Sequence, residues 1–300
     1  MNNIEEMIVR YEIKKTLDEQ GCFSKTFLAE DINLKRLIVV KEIPDFKIKG
    51  DLFRESKILN QVSHKYITKL HFAGYKEKIC NNQMTKFICL SMEYYRNGSL
   101  EQLIERGELN KTNILRIFNN IIQGVHHIHS NNLVHHDLKP DNILISDNKE
   151  AIISDFGLAY YLSKSGFVLG AQMPTYSIPP ECMVNYKNGD YFLTNQQTDI
   201  YQMGILLYLM LKNLSYKDFI SEIKNKFCIL YNKDKDSMNK EELADMIIKG
   251  IIFDFKNGFH FDFNESDNKM KKILKKMLNY DVNIRYKKVL DLSNDFSEII

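Results

Sequence analysis

The stretch that most constrains this chain is His135-His136-Asp137-Leu138-Lys139-Pro140-Asp141-Asn142, together with the two apolar runs behind it. Within six residues it sets a carboxylate at Asp137, an ammonium at Lys139 and an amide at Asn142. Ile143-Leu144-Ile145 follows, then the turn residues Ser146-Asp147-Asn148-Lys149, then Ala151-Ile152-Ile153 and Ser154-Asp155-Phe156-Gly157. Two short apolar runs around a polar turn predict a β-hairpin. The outer ends of a hairpin lie side by side, so Asn142 and Asp155 are expected as neighbours. An amide oxygen and a carboxylate held by a rigid hairpin can bind a hard cation such as Mg²⁺. Asp137, five residues before Asn142, is close enough to take a proton from a bound hydroxyl.

Composition bounds what can surround this stretch. At 300 residues, 44% hydrophobic and 27% charged, the chain can bury a sizeable core as one large domain or two lobes. A net charge of only +2 argues against a protein that coats nucleic acid. The five cysteines (Cys22, Cys80, Cys89, Cys182, Cys228) are scattered without metal-ligand spacing and suggest a reducing compartment. Met1-Asn2-Asn3-Ile4-Glu5-Glu6 lacks a signal-peptide pattern, and the longest apolar run, 203–211, is too short to span a bilayer.

His135 to Asn142 followed by Asp155-Phe156-Gly157 resembles the catalytic loop and metal loop of eukaryotic-type protein kinases. The resemblance extends over roughly residues 10 to 295 and leaves no room for a separate regulatory domain. It implies an α+β, bilobal fold in a single kinase domain. A small antiparallel-sheet lobe with one helix would cover about 10–95, and a larger, mostly helical lobe about 96–300. It also implies an ATP:protein phosphotransferase that uses ATP and Mg²⁺, with Mn²⁺ as a substitute. Its partners would be a protein substrate and ATP, with no nucleic acid and no membrane span, in a cytoplasmic monomer or transient dimer. An effector acting in a host cytosol would fit the same composition.

The smaller lobe carries several further matches. The segment 19–29 stands where kinases place the Gly-rich loop over ATP, where glycine lets backbone amides approach phosphate. Only the middle glycine, Gly21, is present, with Glu19 and Ser24 at the flanking positions. Leu37-Ile38-Val39-Val40-Lys41-Glu42-Ile43 reads as a β-branched strand, and the resemblance makes Lys41 the lysine that grips the α- and β-phosphates. The pattern over 51–63 predicts a helix with Glu55 on its apolar face, where a carboxylate needs a partner. Lys41 is that partner by both residue chemistry and family pattern. Segments 68–73 and 86–92 are expected strands. In Glu93-Tyr94-Tyr95-Arg96-Asn97-Gly98-Ser99, resembling the hinge, Glu93 and Tyr95 would bind the adenine edge, with Met92 as gatekeeper. Leu144 is the further nucleotide contact the resemblance implies.

In the larger lobe, apolar residues from Ile114 to Ile128 predict a helix over 112–130. His126, His127 and His129 on it offer no consistent metal geometry. Pro179-Pro180-Glu181 resembles the motif that closes an activation segment, and Glu181 is expected to pair with Arg285. Pro174 stands where a threonine is common, with Thr175 next to it. Asp199 reads as a first-turn carboxylate and, by resemblance, as the buried support of the catalytic loop. Asn232 to Asp236 hints at an EF-hand but lacks its glycine and bidentate glutamate. Segments 269–278 and 287–296 read as closing helices. Glu101 and Asp141 hint at a pocket for basic residues.

The resemblance assigns Asp137 to orient and deprotonate the acceptor hydroxyl and Lys139 to stabilise the γ-phosphate, with Asn142 and Asp155 holding the metal. Lys139 within Leu138-Lys139-Pro140 resembles the Ser/Thr-directed form. His136 replaces the arginine that in many members receives an activation-segment phosphate, so activity is expected not to require that phosphorylation. The alternatives are a pseudokinase or scaffold on the same fold, suggested by the reduced Gly-rich loop and Val39, and a small-molecule kinase.

Overall fold

The computed structural model describes residues 11–18, 24–48, 50–80, 83–169, 178–179, 181–182, 193–231, 267–279 and 281–300. They fall into two compact units, the smaller within Met1–His64 and Thr68–Tyr95, the larger within Lys65–Ile67 and Arg96–Ile300.

In the smaller unit β1 (Tyr11–Asp18), β2 (Lys25–Asp31), β3 (Arg36–Pro44), β4 (Leu70–Cys80) and β5 (Gln83–Glu93) form one antiparallel sheet in the order β1-β2-β3-β5-β4. The unit's helix, α1 (Arg54–Gln61), packs on β4. The period-2 alternation of a strand sorts the charges on β3. Ile38, Val40 and Glu42 share one face, where Ala29, Ile38 and Val40 make a small core and Glu42 is held by the Tyr11 hydroxyl and Lys78. Lys41 points to the other face.

In the smaller unit the start of the helix and the extent of one hairpin differ from the sequence expectation, each for a local reason. The helix begins at Arg54 rather than residue 51, because Asp51 folds the preceding turn itself: its Oδ1 accepts the Phe53 N–H at 3.0 Å and its carbonyl the Arg54 N–H at 3.2 Å. The β4–β5 hairpin continues to Cys80 and Gln83, well beyond 73 and 86. Tyr75, Ile79 and Met84 there are exposed, so the ladder and not a buried face extends it.

The larger unit contains α2 (Leu100–Glu105), α3 (Lys111–Ser130), β6 (Leu133–Val134), β7 (Ile143–Ile145), β8 (Ala151–Ile153), β9 (Tyr160–Tyr161), β10 (Val168–Leu169), β11 (Leu193–Thr194), α4 (Gln196–Lys212), α5 (Tyr216–Tyr231), α6 (Asp267–Met277) and α7 (Val289–Ser297). Among the described residues its strands form three two-stranded sheets, β6–β9, β7–β8 and β10–β11. These elements give the α+β, two-unit arrangement that the resemblance implies: a five-stranded antiparallel sheet with one α-helix among the described residues of the smaller unit, and a mostly helical larger unit. Residues 65–67 belong to the larger unit because the Tyr66 carbonyl accepts the Ile153 N–H at 2.8 Å and Ile67 bridges Ile153.

The core of the larger unit runs along α4. Every residue from Thr198 to Met210 is buried, so this helix is covered all round. Asn195 caps its start, accepting the Gln197 N–H at 2.8 Å, and Asn213 closes it in the left-handed conformation at φ 50°. Gly204 is needed for close packing: a Cβ there would lie 2.9 Å from Leu278 Cδ2 and 3.1 Å from Met277 Cβ. In α2, Ser99 and Gln102 form a reciprocal capping box.

Arg285, 1% exposed, holds Glu181 with both ends of its fork, Nη1 to Oε1 at 2.7 Å and Nη2 to Oε2 at 2.9 Å. It also donates to the carbonyls of Gln197 at 3.3 Å and Asn279 at 2.9 Å and lies over the Tyr201 ring at 5.1 Å. Removing Glu181 would strand a buried guanidinium. Because the Glu181 side chain keeps 26% of its exposure, the expected cost of Glu181→Ala is only about 2 kcal/mol. A thermal melt should then show a fall of roughly 4–8 °C. Arg285→Lys should not restore the wild-type value when tested the same way, because an ammonium lacks the planar fork.

Candidate catalytic site

The smaller unit carries a well-shielded ion pair of its own on β3 and α1. Lys41 Nζ donates to Glu55 Oε1 at 2.9 Å and Oε2 at 3.1 Å, with the side chains 13% and 9% exposed. β3 carries the lysine in a central strand, between Thr26 on β2 and Leu90 on β5, and the buried face of α1 presents the glutamate. Both charges are removed from water, so each is tolerated because the other is there.

The larger unit holds the 135–142 loop from below by its backbone. Asp199, fully buried in the first turn of α4, accepts three hydrogen bonds: His135 N–H at 2.9 Å, His136 N–H at 2.9 Å and the His129 ring at 2.8 Å. Burial alone would raise its carboxyl, but the His129 hydrogen bond and the surrounding imidazoles outweigh that and hold it below the usual range. Gln202 lies three residues on, on the same face of the helix. Its Oε1 accepts the Leu138 N–H at 3.0 Å and its Nε2 donates to the His136 carbonyl at 2.8 Å. These contacts pin His136 at φ 67°, a left-handed conformation costly for a residue with a Cβ.

The loop so fixed presents its polar groups together. Asp137 Oδ2 accepts Lys139 Nζ at 3.0 Å and Asn142 Nδ2 at 2.8 Å, while Asp137 Oδ1 is buried with no hydrogen-bond partner. Burial holds the Asp137 carboxyl above the ordinary carboxylate value, with Lys139 acting against it. Asn142 Nδ2 also donates to the Asp137 carbonyl at 2.9 Å, which turns the amide oxygen away from Asp137. The β7–β8 register, Ile143 opposite Ile153, sets Asn142 beside Ser154, whose N–H and hydroxyl donate to the Asn142 carbonyl at 2.8 and 3.0 Å. Asp155 follows at φ 60°, its Oδ1 accepting the Gly157 N–H at 3.3 Å.

Two imidazoles line this loop, both neutral at ordinary pH. His135 donates from Nε2 to the Ser154 carbonyl at 3.1 Å and accepts the Asp137 N–H on Nδ1 at 3.3 Å, with Phe156 packed edge-on at 4.8 Å. His136 Nδ1 lies 3.1 Å from the Leu158 carbonyl and Nε2 2.7 Å from the Thr194 hydroxyl. Burial pushes the His136 ring down to about 4 and lowers that of His135.

The other residues singled out by sequence are distributed as follows. Gly21, Glu19, Pro174, Thr175 and the 232–236 segment lie outside the described residues. Glu93 ends β5, its N–H donating to the Lys69 carbonyl at 3.0 Å, and Tyr95 is the last residue of the smaller unit. Leu144 is half-buried on β7 and bridges Ser99. Glu101 is not a pocket for basic side chains. It is 7% exposed and accepts the Tyr216 and Lys217 N–H groups at 2.9 and 3.2 Å, satisfying the first turn of α5. His126 is exposed and His129 is committed to Asp199. Sequence reasoning missed His129 and Gln202 as supports of the loop. The i, i+3 spacing from Asp199 could have exposed Gln202, whereas nothing local marks His129.

A protein kinase domain model matches residues 11–293, and the chain belongs to the protein kinase family. It is 29% identical over 249 residues to "Probable serine/threonine-protein kinase 2" of Plasmodium falciparum (isolate K1 / Thailand), covering 79% of this chain and 45% of that one. It is 30% identical over 214 residues to "CBL-interacting protein kinase 10" of Oryza sativa subsp. japonica, covering 68% and 44%. It is 31% identical over 209 residues to "NUAK family SNF1-like kinase 1" of Mus musculus, covering 67% and 30%. The alignments thus span less than half the length of these curated relatives. Among the described residues no helix is long and apolar enough to cross a membrane.

The two buried imidazoles make stability depend on pH. An unfolded chain protonates histidine near ~6.5, while the folded chain does so only at the lower folded value. Stability is therefore complete above about 6.5 and is lost as pH falls, on the order of 3 kcal/mol by pH 4 for His136 alone. Denaturation midpoints measured between pH 7.5 and 4.5 should fall with a slope of at least one proton taken up. A flat profile to pH 5 would contradict the buried neutral rings.

Proposed function

We propose that the chain is an ATP-dependent protein kinase that phosphorylates Ser/Thr hydroxyls. The observation that carries this is Asp137: one oxygen is fixed by Lys139 and Asn142, and the other is buried and free to accept a hydrogen bond. A carboxylate in that condition can orient an acceptor hydroxyl and receive its proton as the phosphoryl group transfers. Lys139, beside it, would neutralise charge on the transferring phosphate. Lys41, held straight by Glu55, would orient the α- and β-phosphates, with Gly21, Glu93, Tyr95 and Leu144 contacting the nucleotide. Hydroxyl specificity is supported by Lys139 two residues after Asp137 and by the Ser/Thr kinases among the relatives.

The donor set suits Mg²⁺. With both N–H bonds of Asn142 turned to Asp137, its amide oxygen is left for a cation, and Asp155 adds a carboxylate, two hard oxygen ligands of the type Mg²⁺ takes alongside phosphate and water. When bound, the ion supplies positive charge that offsets the phosphoryl oxygens. This reading gives Asn142 and Asp155 the holding role and leaves the proton to Asp137.

Transfer from radiolabelled ATP to a generic basic protein acceptor should occur with the wild type. It should fall by roughly 10²-fold or more in Asp155→Ala and Lys41→Met. Equal labelling in all three would refute catalysis by this site. Nucleotide-dependent thermal stabilisation without turnover would favour a scaffold.

A further inference from the structure

His136 is a buried titratable side chain that the proposed reaction leaves without a task, yet each of its polar atoms is engaged. Its N–H goes to Asp199 Oδ1 at 2.9 Å and its carbonyl accepts from Gln202 at 2.8 Å. A carbonyl only accepts, so the ring nitrogen facing Leu158, Nδ1, carries the proton. The neutral ring then accepts the Thr194 hydroxyl proton on Nε2, at 2.7 Å.

The two ends of this bridge matter. Leu158 directly follows Asp155-Phe156-Gly157, whereas Thr194 sits on β11, where it pairs with Val168 of β10. One ring therefore joins the start of the segment after Gly157 to a strand that captures the same segment ten residues later. Thr194 is 1% exposed and His136 is fully buried, so no water competes for the bond. Tyr160 packs edge-on to the ring at 6.1 Å, holding its plane. A phosphate at this place would need a cation or outward N–H groups, and this ring has both nitrogens committed inward.

We propose that Thr194, acting through the His136 ring, is a positioning residue that keeps the segment after Gly157 on its working course without a phosphate. This rests on the kinase reading above and adds the part that takes over from a phosphate clamp. Thr194→Val keeps the shape and deletes the hydroxyl, leaving Nε2 buried without a donor, and Thr194→Ser returns the hydroxyl.

The test uses the full chain, phosphatase-treated, with KM for ATP and for a Ser-containing peptide measured separately. Hydrogen exchange of residues 158–169 is followed by mass spectrometry. Treated wild type should keep its activity. Thr194→Val should lose about ten-fold in kcat/KM for the peptide while KM for ATP is unchanged, with faster exchange over 158–169. Thr194→Ser should recover both. If Thr194→Val does not fold, His136→Gln, whose amide does not span the bridge, should show the same split.

The proposal is overturned if phosphatase silences the wild type. It is equally overturned if Thr194→Val lowers only the melting temperature, or if both KM values rise together. If the wild type transfers no phosphate to any acceptor, it is the kinase reading that fails. Exchange then decides the bridge alone, and equal exchange in wild type and Thr194→Val refutes it.

Discussion

The larger unit depends on a single buried carboxylate. Asp199 has no contact with water, and an ionised group in that position is tolerated only if its lone pairs are filled. The His135 and His136 amides and the His129 ring fill them, and a hydrogen bond to a charged acceptor is worth about 1.5–3 kcal/mol where a neutral one is worth about 1. The trade works in both directions. The carboxylate needs these N–H groups to be buried at all, and the loop needs the carboxylate to hold His136 at a positive φ. Because Asp199 rides on a helix that is buried on every side, the anchor cannot drift, and the order of Asp137, Lys139 and Asn142 derives from that rigidity.

A second principle is that the polar machinery uses short elements pinned by long ones. The β7–β8 hairpin has strands of three residues each, too little to stand alone, but Ile153 is tied to Tyr66 and Ala151 to the Asn120 side chain of α3. In the smaller unit the long antiparallel ladder does the same for Lys41. Strand alternation sends Lys41 and Glu42 to opposite faces, so adjacent residues of opposite charge end in unrelated networks, one with Glu55 and the other with Tyr11 and Lys78.

Much of the site was legible because its chemistry is local. Asp137, Lys139 and Asn142 fall within one loop, the hairpin behind them was visible as two apolar runs, and Glu55 on an apolar helix face announced that it needed a cation. The ends of α1 and of the β4–β5 hairpin were not legible. Asp51 looks like a helix residue but spends its side chain on the turn, and the distal hairpin has no buried stripe to mark it. Glu101 misled for the opposite reason: an acidic residue near a hinge reads as a ligand group, while its true partners are backbone amides more than a hundred positions away.

By itself the sequence determined which side chains are available and which lie within a few residues of each other, because hydrogen-bonded turns, caps and strand alternation are decided over that range. It could show that His136 stands where an arginine is common. Only the tertiary structure decided what His136 does. Its charge state follows from burial, and its partners, Leu158 and Thr194, are brought to it by the β6–β9 and β10–β11 pairings and by the anchor on α4. The same holds for His129 beneath Asp199, and the physical reason is common to both. A buried imidazole is defined by which donors and acceptors surround it, and those come from segments that packing, not chain order, makes neighbours.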